Sequence, residues 1–446
     1  MSMNAEPNPS EKIIEDATCT FCGCLCDDIA LSLAGSRITS ARNACALGQS
    51  WFVNRPPDDR PACTIEGEPS TVDQGVERAA QLLLAARYPL VFGLSATTTA
   101  AQRRAVVIAD RIRGCVGSTS DSDGSIATIA FQEVGQVACT LGEIKNRSDL
   151  IIFWGSDPTV THPRHFERYS VSAEGEFVGA GRAARYCVVV DSSKTATADL
   201  ADQFILIKPG KDFEAFWTLR ALIKGIELDA EEIEAQTGVS LADWRALLSR
   251  ITQAKYGALL YGAGSWRAGA DHLSSHAMLA LVRDLNDLTR FVCMPMIAGG
   301  NLVGAENVLT WQTGYPSPVS LTLGYPRYGP GEYNAAIMLG RAEPDAVLVV
   351  GGDPARSLST AAREHLSRLP AVVLVPDGMP AHEGATVVFH TATYGINTSG
   401  TVYRMDGVPI PLRPAVTSTL PSDEEVLSAI ENSIARSRSL RPSDWL

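Results

Sequence analysis

Four cysteines, Cys19, Cys22, Cys26 and Cys45, follow the pattern C-x2-C-x3-C with a longer return to the fourth, and Cys24 adds a thiol among them. Three thiols presented within one turn of chain, with a fourth from a following segment, can close four corners around an inorganic group. This stretch is therefore expected to fold around its sulfurs, as small metal domains do, instead of around an apolar core of its own. A four-iron cubane is the first reading. The C-x2-C-x3-C triple is commoner around clusters, whereas structural zinc usually takes two C-x2-C pairs. A tetrahedral zinc, vacant thiols or a disulfide are the alternatives.

The remaining chain has ample material for larger cores: 446 residues, 45% hydrophobic and 20% charged, enough for two or three domains. A net charge of −12 argues against a nucleic-acid partner, because phosphate recognition needs a basic face. The opening MSMNAEPNPSEKIIED has neither a positive start nor an apolar run, so it reads as a polar lead and not as a signal peptide. No run reaches the roughly 18 to 20 apolar residues that a membrane helix needs. The expected compartment is the cytoplasm, where thiols stay reduced and clustered cysteines bind metals. Cys63, Cys115, Cys139, Cys187 and Cys293 are scattered singly and are expected to be buried as small hydrophobes.

After an exit over Ala46–Thr71 that is rich in Pro, Asp and turn residues, the texture turns α/β from about Val72. Apolar runs at Leu90–Phe92, Leu150–Trp154, Cys187–Asp191 and near Phe204 predict buried strands, and helices are expected over Ala100–Ile112 and in the region Asp212–Arg250. GALLYGAGS, ending near Tyr261 and Gly262, repeats the strand-to-glycine pattern, and a helix from His272 to Leu288 follows. Two of the runs end alike, in Gly155-Ser156-Asp157-Pro158 and Gly351-Gly352-Asp353-Pro354. Such turns lie at the C-terminal edge of a parallel sheet, where backbone amides can meet a phosphate; equally, each can be a plain tight turn. The last stretch is β-rich with Gly and Pro punctuation, followed by a helix over Ser422–Ala435.

The expected organisation is a Cys-rich cluster domain over 1–70, a first α/β domain over 71–210, a second over 211–385, and a β-rich C-terminal region over 386–446. The two α/β domains are read as related, doubly wound halves.

His162 and His165 flank Pro163-Arg164, and a His-x2-His pair can bind metal; hydrogen bonding to backbone is the plainer reading. His272 and His276 stand one helical turn apart, without the glutamate a zinc-protease motif requires. Asp27 and Asp28 follow a cluster cysteine and are expected to accept backbone hydrogen bonds or cap a turn. Asp229-Ala-Glu-Glu is expected to open a solvated helix.

Cys19-x2-Cys22-x3-Cys26-Asp27-Asp28 with Cys45 resembles the cluster loop in the B-type subunits of formylmethanofuran dehydrogenase, in the molybdopterin oxidoreductase superfamily. The likeness continues through Cys139–Arg147, Trp154–Pro158, His162–His165, Trp311–Pro316 and Gly324–Glu332. The resemblance implies a four-iron cluster domain, two α/β domains gripping a bis-molybdopterin guanine dinucleotide, and a β-rich cap. Gly155, Asp157, Gly351 and Asp353 would then line the pterin pocket.

In redox members of the family a cysteine thiolate binds tungsten or molybdenum, with a histidine after it and an arginine nearby. The matching stretch here, Ser120–Ser125, reads Ser-Asp-Ser-Asp-Gly-Ser, and Met294–Asn301 reads MPMIAGGN, with Ile297 expected where the arginine would stand. Oxygen ligands match a soft metal-dithiolene centre poorly. The pocket is therefore expected to be degenerate, without molybdopterin, tungsten or molybdenum.

The pattern is similar to the B-type member of the formyltransferase/hydrolase complex of aerobic methylotrophs. That resemblance implies a non-redox scaffold among A, C and D type subunits, in formyl transfer from tetrahydromethanopterin to a methanofuran-like carrier and release of formate. A working dehydrogenase subunit with a rebuilt metal site, and an iron-sulfur electron-transfer subunit on a vestigial pterin fold, are the rival readings.

Overall fold

The computed structural model describes residues 11–55, 60–118, 125–262, 271–352, 358–380 and 382–439. The expected sequential blocks are not how the chain divides in space. It forms two compact units, one of residues 1–122 with 299–446, the other of residues 123–298. The physical reason is strand pairing. Pro89–Gly93 pairs in parallel with Ala346–Val350, so the chain must leave the first sheet, build the second unit and return.

The discontinuous unit begins with a three-stranded antiparallel sheet, Glu11–Ala17, Ile29–Ala34 and Arg37–Arg42. The cysteine loop joins the first two of these strands. Its main body is a nine-stranded mixed sheet with five parallel strands at its centre: Cys115–Val116, Pro89–Gly93, Ala346–Val350, Ala371–Pro376 and Val387–Thr391. Successive side chains of a strand point to opposite faces. Val91, Leu348, Val350, Val372 and Leu374 accordingly enter one core, and Leu90, Phe92, Val347, Val349 and Val373 the other.

Burial on both faces is what unbroken apolar strands of a parallel sheet require. Helices Val72–Ala85, Thr99–Arg111, Leu302–Thr313 and Asp423–Ser439 supply the first core. Ala335–Gly340 and Thr360–Leu366 supply the second. The β-rich C-terminal stretch is shared out: Val387–Thr391 joins the large sheet, and Gly400–Tyr403 with Pro409–Leu412 forms a separate hairpin.

The second unit is a five-stranded, all-parallel sheet in the order Gln203–Leu206, Tyr186–Asp191, Leu150–Trp154, Tyr256–Tyr261, Arg290–Pro295. The expected helical region from Asp212 is three helices, Asp212–Ile223, Ala230–Thr237 and Leu241–Gln253. Asp229 caps the second by accepting from the amides of Glu231 (2.9 Å) and Glu232 (3.0 Å), which satisfies two of the orphan donors at a helix start.

Trp154 ends its strand against Phe216 (centroids 4.3 Å apart) and donates its indole N–H to Asp212 Oδ1 at 2.7 Å. The five single cysteines, Cys63, Cys115, Cys139, Cys187 and Cys293, are all buried thiols. Among the described residues no helix is long and apolar enough to cross a membrane.

Candidate functional site

The cysteine loop is folded tightly enough to bring its sulfurs into one neighbourhood. The amide of Cys19 donates to the carbonyl of Cys26 at 2.8 Å, and that of Leu25 to Cys22 at 3.1 Å, so the triple closes on itself. Leu25 takes a positive φ of 40° to make the turn, and its side chain is fully buried with Tyr394, Val402 and Ile410. Burial of that leucine offsets the backbone cost of a left-handed residue.

Cys45 is the N-cap of helix Ala46–Val53, with its Sγ accepting from the amide of Gly48 at 3.4 Å. A helix start favours negative charge on its cap. A side chain at Gly48 would intrude on the sulfurs, since an added Cβ would stand 3.2 Å from Cys19 Sγ and 3.8 Å from Cys45 Sγ.

The electrostatics of the four thiols follow from that proximity. Burial pushes Cys19 far up, and the negative charges that Cys22, Cys26 and Cys45 would carry push in the same direction. Cys22 moves down, chiefly because the Cys24 thiol hydrogen-bonds to it. Among the described residues no group of three or more His, Cys, Asp or Glu side chains is arranged to grip one metal ion.

The loop is wedged from the far end of the chain. Tyr394 donates its hydroxyl to the carbonyl of Thr20, and Gly300 packs so closely there that an added Cβ would lie 2.1 Å from the same oxygen. Phe21 and Tyr394 each meet Trp51 edge-on, at 6.0 and 6.3 Å. Arg55 lies over Trp51 and donates to the Asp377 carbonyl and the Thr393 hydroxyl. Burial lowers this guanidinium to about 10. None of Tyr394, Gly300 or Arg55 carries a signal in the sequence that connects it to the cysteines, because each lies in a separate stretch.

The two glycine turns sit at strand ends as expected, each in its own unit. Gly155 has φ 56° and donates its amide to Val190; Gly351 has φ 105° and donates to Leu374. Asp157 is half-buried and is held by groups of its own unit. Its carboxylate accepts from the hydroxyls of Thr159 (2.8 Å) and Thr197 (2.5 Å) and from the amides of Thr197 and Ala196. Burial alone would raise this carboxyl, but those hydrogen bonds from Thr197, Thr159 and Ala196 hold it below the usual carboxylate range. Asp353, and the stretch from Ser120 to Gly124, lie outside the described residues.

His162 and His165 are both buried in the second unit, and neither belongs to a group of three or more metal-ligating side chains among the described residues. His162 Nε2 meets the carbonyl oxygen of Ile297 at 2.8 Å, so the residue at the expected arginine position is held by its backbone. His165 pairs through Nδ1 with the Ser170 hydroxyl at 3.0 Å, and burial pushes it down to about 3. His272 is exposed and His276 half-buried on helix Asp271–Leu285.

No family model matches the sequence. Individual proteins do. The chain is 36% identical over 429 residues to the B-type subunit of tungsten-containing formylmethanofuran dehydrogenase 2 from Methanocaldococcus jannaschii, covering 94% of this chain and 98% of that one. It is 34% identical over 428 residues to the protein of the same name from Methanococcus maripaludis, with the same coverage. The B-type member of the formyltransferase/hydrolase complex of Methylorubrum extorquens is 25% identical over 294 residues, which is 66% of this chain and 75% of that one.

Among solved structures, the formyltransferase/hydrolase complex of Methylorubrum extorquens with methylofuran aligns with a TM-score of 0.69 at 24% identity, over 85% of this chain and 100% of that one. Acetylene hydratase from Pelobacter acetylenicus aligns with a TM-score of 0.67 at 11% identity, over 97% of this chain and 70% of that one. These last two establish a shared fold. With more than a third of its residues matching along nearly the whole length of a relative, the chain belongs to the family of formylmethanofuran dehydrogenase B-type subunits.

Proposed function

We propose that this chain is a non-redox scaffold within a formyl-transferring and formate-releasing assembly, working on carriers of the tetrahydromethanopterin and methanofuran type with A, C and D type subunits. The observation that carries the reading is the side-chain chemistry of two stretches. Ser120–Ser125 offers oxygen donors but no thiolate or imidazole, and Met294–Asn301 holds no cation. A soft metal-dithiolene centre needs the former and an anionic one-carbon substrate the latter. The carboxylate of Asp157, already engaged by hydrogen bonds within its own unit, fits a pterin-binding turn in decline.

A second reading has its own support: the matches of 36% and 34% over 94% of the chain are to proteins named as tungsten-containing. Overall identity reports fold and ancestry, whereas metal chemistry turns on a handful of ligands. The test is tungsten, molybdenum and pterin analysis of the anaerobically purified native assembly, with dye reduction by formate. The scaffold reading expects none of the three and no dye reduction. Stoichiometric tungsten or molybdenum with turnover overturns it in favour of the dehydrogenase.

Cys19, Cys22, Cys26 and Cys45 fit a four-iron cluster in this reading. Gly48 leaves the space beside two of the sulfurs free of side chain. Four thiolates crowded together repel one another, so a cationic inorganic core is the partner that lets them ionise together. A zinc would require all four sulfurs about 2.3 Å from a single point, while a cubane gives each cysteine its own iron. When bound, the cluster would supply a one-electron couple; in a scaffold its contribution is to tie the loop.

A further inference from the structure

Away from its own glycine turn, the second unit carries a cleft of about 390 Å³ at the N-terminal edge of its parallel sheet. Arg147, Lys255 and Arg290 line it, at the end of helix Leu141–Arg147 and at the starts of strands Tyr256–Tyr261 and Arg290–Pro295. The one carboxylate in the lining is Asp149, and both its oxygens are occupied: Oδ2 accepts from the amide of Lys255 at 2.9 Å and Oδ1 from that of Tyr256 at 3.0 Å. None of the three cations forms an ion pair among the described residues. Those amides are neutral, so Asp149 keeps its charge, and three cations against one carboxylate leave the cleft positive on a chain of net charge −12. Phe177 lies in the same lining, 65% exposed, with the Arg147 guanidinium 4.8 Å from its ring centroid.

We propose that this cleft docks an acidic segment of another protein in the assembly, two or more Asp or Glu side chains meeting Lys255 and Arg290 while an apolar neighbour covers Phe177 and the Arg147 stem. The position argues against a phosphate or nucleotide. Parallel sheets bind those at the C-terminal edge, where helix N-termini point amides at the ligand; this cleft is at the opposite edge and offers no such amides, so an anion here is held by side-chain cations alone. Carboxylates spread along a peptide suit flexible, separated cations, and an exposed aromatic beside an arginine is the make-up of an interface anchor. This inference rests on the reading that the chain works inside an assembly, but not on that assembly being non-redox.

The test uses the native assembly purified through a tag on this chain. A zero-length carbodiimide joins an amine to a carboxylate in contact with it, so mass spectrometry should find Lys255 linked to an Asp or Glu of another protein of the assembly. The double substitution Lys255→Glu with Arg290→Glu should weaken retention of that protein about tenfold, roughly 1.4 kcal/mol, and lower the salt concentration at which it dissociates. Phe177→Ser should act in the same direction. These are surface positions, so the melting temperature of the isolated chain should not move. An assembly of unchanged stoichiometry and salt resistance with the double variant overturns the proposal. So does saturable binding of inorganic phosphate or ATP to the isolated chain that the double variant abolishes, which would make the cleft a small-anion site. Metal content and dye reduction, which test the scaffold reading, are independent of either result.

Discussion

Thr20 and Tyr394 hold each other through two reciprocal hydrogen bonds: the Thr20 hydroxyl donates to the Tyr394 carbonyl at 3.0 Å, and the Tyr394 hydroxyl donates to the Thr20 carbonyl at 2.9 Å. Both residues are buried, so each bond is shielded from competing water. The pair fastens the cysteine loop to a segment that arrives only after the whole second unit has been built. Folding of the loop is thereby coupled to completion of the chain.

Tyr394→Phe should therefore loosen the loop. The substitution leaves the Thr20 carbonyl buried without its donor, at a cost of about 1 to 3 kcal/mol. Thermal or urea unfolding measures the loss, and faster limited proteolysis around Cys19–Asp28 locates it. Gly300→Ala should cost more, since its methyl would need the space of the same carbonyl, 2.1 Å away. An alanine variant as stable as the parent would mean that the loop is not wedged there.

Gly48→Ala probes the space beside the sulfurs. Helix propensity alone would make alanine the better residue by about 1 kcal/mol in mid-helix. Against that, its Cβ would sit 3.2 Å from Cys19 Sγ. With a cluster assembled, the expectation is a lower iron-to-protein ratio and a weaker thiolate-iron visible band, with the apo form no less stable than the parent. Undiminished iron would show that the sulfurs do not converge on that side.

Strand positions and the cysteine pattern were legible because each is a local signal. Leu150–Trp154 is an apolar run in the sequence and the same strand in the structure, and Asp229 caps a helix as its position before Glu231 and Glu232 suggests. What the sequence could not show is which strands pair. Pro89–Gly93 finds its neighbour at Ala346–Val350, and a reading in chain order has no access to that choice. The supports of the loop were illegible for the same reason, for Gly300 looks like any loop glycine until Thr20 is placed against it. Asp157 shows the reverse limit. A turn at a strand end was correctly located, but only the hydroxyls of Thr159 and Thr197 reveal that its carboxylate is already occupied.

Two buried groups in the second unit should give stability opposite dependences on pH. His165, pushed down to about 3 by burial, is neutral in the fold. Its contribution is fully present above its unfolded value, about 6.5, and is lost progressively as pH falls from there toward 3. Asp212 is pushed up to about 6, chiefly by burial, with the Trp154 indole N–H acting against the rise. Its contribution is fully present below its unfolded value, about 4, and is lost as pH rises through 6. Asp212→Asn should flatten the decline in melting temperature between about pH 4 and 6, and His165→Gln should flatten the fall on acidification below about 6.5. Parallel melting curves for parent and variants across those ranges would contradict both assignments.

Arg185 closes a helix from a distance, and its substitution should be among the costlier single changes in the second unit. Its guanidinium is buried and donates to the carbonyls of Ile144 and Ser148 through Nη1 and to those of Lys145 (2.6 Å) and Ala173 (2.8 Å) through Nη2. Ile144 and Lys145 belong to the last turn of helix Leu141–Arg147, and Ser148 is its C-cap. The arginine thus satisfies the Lys145 and Ser148 carbonyls, which a helix end leaves without amide partners, and shares the Ile144 carbonyl with the amide of Ser148. Burial lowers its basicity, so the carbonyl dipoles stand in for water around a charge that has no carboxylate in hydrogen-bond contact among the described residues. A lysine keeps the charge but has three donors on one atom, which cannot span the carbonyls that the planar fork reaches. Arg185→Lys should destabilise the unit by about 3 kcal/mol, the loss of hydrogen bonds to a charged group with buried acceptors left unmet. Hydrogen exchange should show the amides of Leu141–Arg147 opening first. A lysine variant within about 0.5 kcal/mol of the parent would mean that water replaces the guanidinium at these carbonyls.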